Sequence, residues 1–168
     1  MPAEWEPHEA VWLAWPHDPK TWPDAVPLAE EAFARLASAV SQGETVHLLV
    51  KDAATEARAR AACSAAGARR VRFHRIPTAD SWFRDYGPIV VAKGRGAKRE
   101  RLALDFVFNA WGGKYDELLR DDGIPARVIF DRVPETLRPR PTLSITVDAA
   151  RGGRQPVSLT YLTPGLAW

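Results

Sequence analysis

Between Ala10 and Ile76 the chain alternates short apolar runs with stretches whose apolar residues recur at helical spacing, and this alternation limits the fold more than any other feature. "AVWLAW" (Ala10 to Trp15) is cut off by Pro16, too short for a useful helix and suited to a buried strand. From Leu28 to Val40, residues Leu28, Ala32, Phe33, Leu36 and Val40 recur near the helical period, with Pro27 before them and Gly43 beyond. This predicts a helix with those five side chains inward. "TVHLLV" (Thr45 to Val50) predicts a buried strand with His47 facing the core, and the Ala- and Arg-rich run from Asp52 to Gly67 predicts a second helix, capped by Asp52. "RVRFHRI" (Arg70 to Ile76) then alternates as a half-buried strand. The fold class is therefore α/β.

Beyond Ile76, "IVVA" (Ile89 to Ala92) and "LALDFVFNAW" (Leu102 to Trp111) predict strands separated by the polar loop "KGRGAKRE". A short helix over "YDELLRDDG" and a strand over "ARVIF" are expected next. The last third changes character: Pro, Arg, Gly and Thr displace periodic apolar residues, leaving weak strand signals at 143–147 and 157–162. Residues 1–135 are therefore expected to form the folded domain, and 136–168 a divergent tail, with a frame-shifted or a disordered segment as its two explanations.

With 168 residues, 46% hydrophobic and 26% charged, the chain can bury one real core. Lys and Arg outnumber Asp and Glu by 23 to 21, and a net charge of +2 provides no strong field for nucleic acid or an anionic membrane. Neither partner is expected. The N-terminus lacks a signal-peptide pattern, no apolar stretch approaches the roughly 20 residues of a membrane span, and the single cysteine, Cys63, excludes an internal disulfide. These features predict a cytoplasmic protein.

Several familiar motifs fail. "GRGAKR" has Arg99 where a dinucleotide fingerprint needs its third glycine, and "WGGKY" has Tyr115 where a P-loop needs Ser or Thr. The histidines His8, His17, His47 and His74 lack HExxH spacing and have no cysteine partners, so no metal is expected. Cys63 falls in the later half of an Ala-rich helix, where the dipole disfavours a thiolate, and a structural role is expected for it.

"DSWFRDYGP" (Asp80 to Pro88) is different in kind. An indole face and a carboxylate three residues apart suit a planar delocalised cation: guanidinium stacks on the ring while the carboxylate accepts its in-plane N–H bonds. Trp82 and Asp85 form that pair, and each contact is worth about 2 kcal/mol in a desolvated pocket. Chemistry alone leaves a second reading open, in which Asp85 pairs with Arg84 or forms the turn before Gly87-Pro88, and Trp82 fills the core.

"MPAEWEPHEAVWLAWPHDPKTWP", "DSWFRDYGPIVV" and "DFVFNAWGGKY", in this order and spacing, resemble the N-terminal half of the agmatine deiminases, in the family of bacterial-type peptidyl-arginine deiminases. The resemblance covers residues 1–125 or so. It implies the pentein fold, a five-bladed α/β propeller of ββαβ units, with roughly two blades present here, and no cofactor or metal. It also implies hydrolysis of agmatine to N-carbamoylputrescine and ammonia, a step toward putrescine. In that chemistry a cysteine thiolate attacks the guanidinium carbon, a histidine acid assists ammonia departure, and water hydrolyses the thiouronium intermediate. By motif, Asp85 corresponds to the family's guanidinium-binding, catalytic aspartate, Trp82 to an aromatic lining the same pocket, and Trp111 in "NAWGGKY" to a further substrate-pocket residue. Peptidyl-arginine, which has the same head group, is the alternative substrate.

The departures matter as much. No His-x-Asp pair occurs, the family's late nucleophilic cysteine has no counterpart, and Pro141-Thr142-Leu143 stands where a Glu-Gly-Gly precedes the segment resembling "SITVD". The expectation is a truncated, guanidinium-recognising chain that is inactive alone. Its exposed strand edges would favour self-association or a complementing chain, and a non-catalytic guanidine- or polyamine-binding remnant or an unstable fragment is the alternative.

Overall fold

The structure, a computed structural model, describes residues 5–6, 8–94 and 100–130. The expected strands at 143–147 and 157–162, and the tail from 136, lie outside the described residues.

The chain runs β1 (Ala10–Ala14), α1 (Val26–Val40), β2 (Thr45–Val50), α2 (Ala53–Ala65), β3 (Val71–Arg75), α3 (Phe83–Tyr86), β4 (Ile89–Lys93), β5 (Glu100–Leu104), the short turn α4 (Ala110–Gly113), a 3-10 segment (Asp116–Gly123) and α5 (Ile124–Phe130). Strands β1, β2 and β3 form a parallel sheet in that order, as two βαβ units require, with Trp12 beside His47 and Leu49 beside His74. β4 and β5 form a separate antiparallel ribbon, Ile89 opposite Leu104. The α/β class follows directly.

Because side chains alternate along a strand, the parallel sheet has two different faces. Val46, Leu48 and Val50 point to α1 and α2, joining Trp15, Ala34, Ala37, Ala59 and Cys63 in one core. Ala14 and Leu49 point the other way, to a second core with Ile76, Ala79, Tyr86, Phe108, Ala110, Leu118 and Ile124. α2 starts where expected, the Asp52 carboxylate accepting the Thr55 N–H at 2.8 Å.

Three expectations change. The inward residues of α1 are Ala29, Ala34 and Ala37, with Phe33 and Val40 partly buried, whereas Leu28 and Leu36 are 67% and 45% exposed. Small side chains let α1 and α2 approach, and Ser38 Oγ donates to the Ala66 carbonyl at 2.6 Å across that seam. The strand predicted over Leu102 to Trp111 spans only Glu100–Leu104, because Phe108 gives its backbone N–H to Asp122 and the next residues turn left-handed. "ARVIF" is helical, a direct continuation of the 3-10 segment, and Pro125 near its start lacks an N–H that a first helical turn leaves unused.

Candidate functional site

The second face of the sheet carries the segment Asp80 to Gly87. Asp80 is fully buried: one carboxylate oxygen accepts the Thr21 hydroxyl and the other the Ser81 backbone N–H at 2.7 Å, which anchors the start of the segment. Tyr86 is buried in the second core, its hydroxyl donating to the Asp80 carbonyl at 3.1 Å. Burial, with Asp121 nearby, pushes the Tyr86 phenol well above its usual range, so it remains a neutral donor. Gly87 closes the turn, its N–H bonding the Phe83 carbonyl at 2.7 Å; a Cβ there would sit 2.8 Å from the Phe83 ring and closer still to the carbonyl oxygen. With both ends held, Trp82 and Asp85 project outward.

Trp82 is 40% exposed and Asp85 is exposed, so neither is a core residue. The third expected residue joins them: the Trp111 indole N–H donates to Asp85 Oδ1 at 3.3 Å, and the Trp82 and Trp111 rings meet edge to face at 5.8 Å and 84°. Residues 26 positions apart therefore form one corner with two indoles and a carboxylate. Phe108 and Tyr115 pack edge-on against Trp111 at 5.6 and 5.8 Å and hold its ring plane.

Trp111 reaches Asp85 by way of an unusual backbone. Ala110, Trp111, Gly112 and Gly113 all have positive φ, at 50°, 55°, 81° and 74°. For Ala and Trp this conformation costs roughly 1–2 kcal/mol each. Asn109 stabilises the turn, its side-chain oxygen accepting the Gly112 N–H at 2.9 Å and its carbonyl the Gly113 N–H at 2.7 Å. Strain of this kind persists where the surroundings enforce it, often at a ligand site.

Cys63 lies elsewhere. It is 3% exposed in the α1–α2 core, on the opposite face of the sheet from the Asp85 corner, and burial pushes its thiol up to about 11. A thiol so placed stays protonated at neutral pH and does not face Asp85.

Sequence reasoning did not find Asn109, Tyr115 or the pair Asp121–Asp122, whose bonds run to backbone atoms of segments distant in the chain. It also placed His47 in the core. His47 is half-buried, hydrogen-bonded to His74 at 2.9 Å and stacked on Trp12 at 4.3 Å, and Trp12 in turn stacks on Phe83 of α3.

Two indoles beside a carboxylate are groups on which a flat delocalised cation can stack and to which it can donate N–H bonds. The profile of the Porphyromonas-type peptidyl-arginine deiminase family matches residues 1–145, and the chain belongs to that family. It is 41% identical over 136 residues to the agmatine deiminase of Ectopseudomonas mendocina, covering 78% of this chain and 34% of that protein. With the agmatine deiminase of Medicago truncatula it shares 37% identity over 149 residues, covering 80% of this chain and 37% of the relative. The agmatine deiminase of Enterococcus faecalis, solved catalysing its reaction, superposes with a TM-score of 0.61 at 30% identity, over 76% of this chain and 34% of that one. A substrate-bound C. jejuni agmatine deiminase gives a TM-score of 0.62 at 27% identity, over 77% and 35%. The chain thus spans about a third of the length of these relatives.

Proposed function

We propose that this chain is the guanidinium-recognising part of an agmatine deiminase, with Asp85 accepting the head-group N–H bonds and Trp82 and Trp111 forming the aromatic walls. The observation that carries the reading is the Trp111–Asp85 hydrogen bond beside the exposed Trp82 ring. It presents a carboxylate already oriented by one donor next to flat π surfaces, as a planar delocalised cation requires. Similarity to agmatine deiminases over about 78% of the chain favours agmatine as the guanidine, and N-carbamoylputrescine plus ammonia as products of the complete enzyme, on the way to putrescine.

Asp85 is assigned to binding and orienting the guanidinium, the covalent step of this chemistry belongs to a cysteine thiolate, and Cys63 is buried away from Asp85 as a neutral thiol. The 168-residue chain is therefore proposed to bind without turning over. It would comprise about two of five propeller blades and work in the cytoplasm, with residues beyond 135 outside the domain and a second chain or copy completing the ring. Peptidyl-arginine has the same head group and stays the alternative substrate, in keeping with the family that the chain belongs to.

The test is agmatine binding and ammonia release by the purified chain beside Asp85→Ala. Saturable binding, weakened about tenfold to a hundredfold in Asp85→Ala, with no ammonia from either protein, supports the reading. Ammonia release that survives Asp85→Ala would refute it.

A further inference from the structure

Two adjacent aspartates connect the halves of the candidate site without touching it. Asp121, 1% exposed, lies within the 3-10 segment and accepts two backbone N–H groups, from Ala79 at 2.5 Å and Asp80 at 3.2 Å, one on each carboxylate oxygen. Asp122 accepts the Phe108 N–H at 2.6 Å. Ala79 and Asp80 lead into Trp82 and Asp85, while Phe108 leads into Asn109 and Trp111. Two irregular segments are thus hung from consecutive residues of one turn.

We propose that Asp121 and Asp122 are a pair of positioning residues that set Trp111 against Trp82 and Asp85, so that the indole N–H meets the carboxylate. The inference rests on the guanidinium-site reading and adds to it the residues that hold its geometry.

The chemistry of Asp121 supports this. Burial raises its pKa, and its compensation comes first from the two backbone donors. A neutral side chain would avoid that burial cost, but Asn has one acceptor oxygen and two donors, and its amide would confront one of the two N–H groups. Serving both donors takes two acceptor oxygens. Asp122, half-buried with one donor on Oδ1, needs only one, which Asn supplies. The two positions therefore differ in what they tolerate, and a test can use the difference.

The full 168-residue chain, labelled with 15N at its seven tryptophans, gives indole N–H peaks from which Trp111 is identified by its loss in Trp111→Phe. In Asp121→Asn and in Asp122→Ala the Trp111 peak is expected to move toward its position in Asp85→Ala, and agmatine affinity to fall about tenfold. Asp122→Asn is expected to restore both, and Asp116→Asn, on the exposed side of the same segment, to change neither. A Trp111 peak that keeps its wild-type position in Asp121→Asn and Asp122→Ala would overturn the proposal. So would collapse of all seven peaks in both variants, since the pair would then hold the fold rather than the site. If wild type fails to bind agmatine, the guanidinium reading falls, yet the indole shifts still decide whether the pair positions Trp111.

Discussion

The two faces of the parallel sheet are built by different means. Toward α1 and α2, periodic elements pack small and aliphatic side chains, and the carboxylate at the rim, Glu56, is paired with Arg60 and Arg75. Toward the site, irregular chain is held by side-chain oxygens accepting backbone N–H groups: Asp80 from Ser81, Asn109 from Gly112, Asp121 from Ala79 and Asp80, Asp122 from Phe108. The first face derives its stability from buried apolar area. The second uses these side-chain oxygens to keep two indoles and the Asp85 carboxylate at the surface. The helix-packed core and the exposed indole–carboxylate corner thus lie on opposite sides of one sheet.

The sharpest way to break this division is a pair of truncations. Leu48→Ala, in the fully buried helix-side core, is expected to cost about 2–5 kcal/mol, while Asp85→Ala changes stability by less than about 0.5 kcal/mol and loses the ligand. Chemical denaturation of both variants checks the contrast, and similar costs would contradict it. Gly87→Ala tests the site side. The added Cβ meets the Phe83 carbonyl and ring, so about 1–3 kcal/mol is expected, with weaker guanidine binding because the turn carrying Asp85 must shift. Gly112→Ala, with φ at 81° and open space around it, should cost only the left-handed conformation, about 1–2 kcal/mol in thermal melts.

The smallest effect expected is a pH dependence of opposite sign on the two faces. Hydrogen bonds from Arg75 and Arg60 hold Glu56 below its usual pKa, so its contribution is present above the unfolded carboxylate range and lost as pH falls through the folded pKa. Burial holds Asp121 above its usual pKa, so the folded state binds that proton more tightly and stability declines as pH rises from the unfolded value through the folded one. Melting curves against pH should therefore show wild type losing its advantage over Glu56→Gln on acidification, and losing ground relative to Asp121→Asn as pH rises. Parallel profiles for the two variants would refute the contrast.

The same division explains what was legible in the amino-acid order. β1, α1, β2, α2 and β3 follow from period and capping, and the structure has them all. The inward face of α1 was misread because spacing favours large apolar residues, whereas close packing against α2 selects Ala29, Ala34 and Ala37 and leaves Leu28 and Leu36 outside. β5 was overextended because alternation in "DFVFNAW" does not reveal that Asp122 takes the Phe108 N–H from any ladder. Trp82, Asp85 and Trp111 were legible as residue types, and the structure brings them together. Their supports were not: Asp121 and Asp122 bond distant backbone N–H groups, and Asn109 bonds Gly112 within an irregular turn, neither of which leaves a periodic trace.

The most direct test of the account is a calorimetric titration of agmatine against putrescine, which lacks the guanidinium, into the wild-type chain, Trp82→Ala and Asp85→Ala. The account predicts saturable agmatine binding to wild type, at least about tenfold tighter than putrescine, with that preference lost in both variants. Equal affinity for the two ligands, or a preference that survives Asp85→Ala, would contradict it.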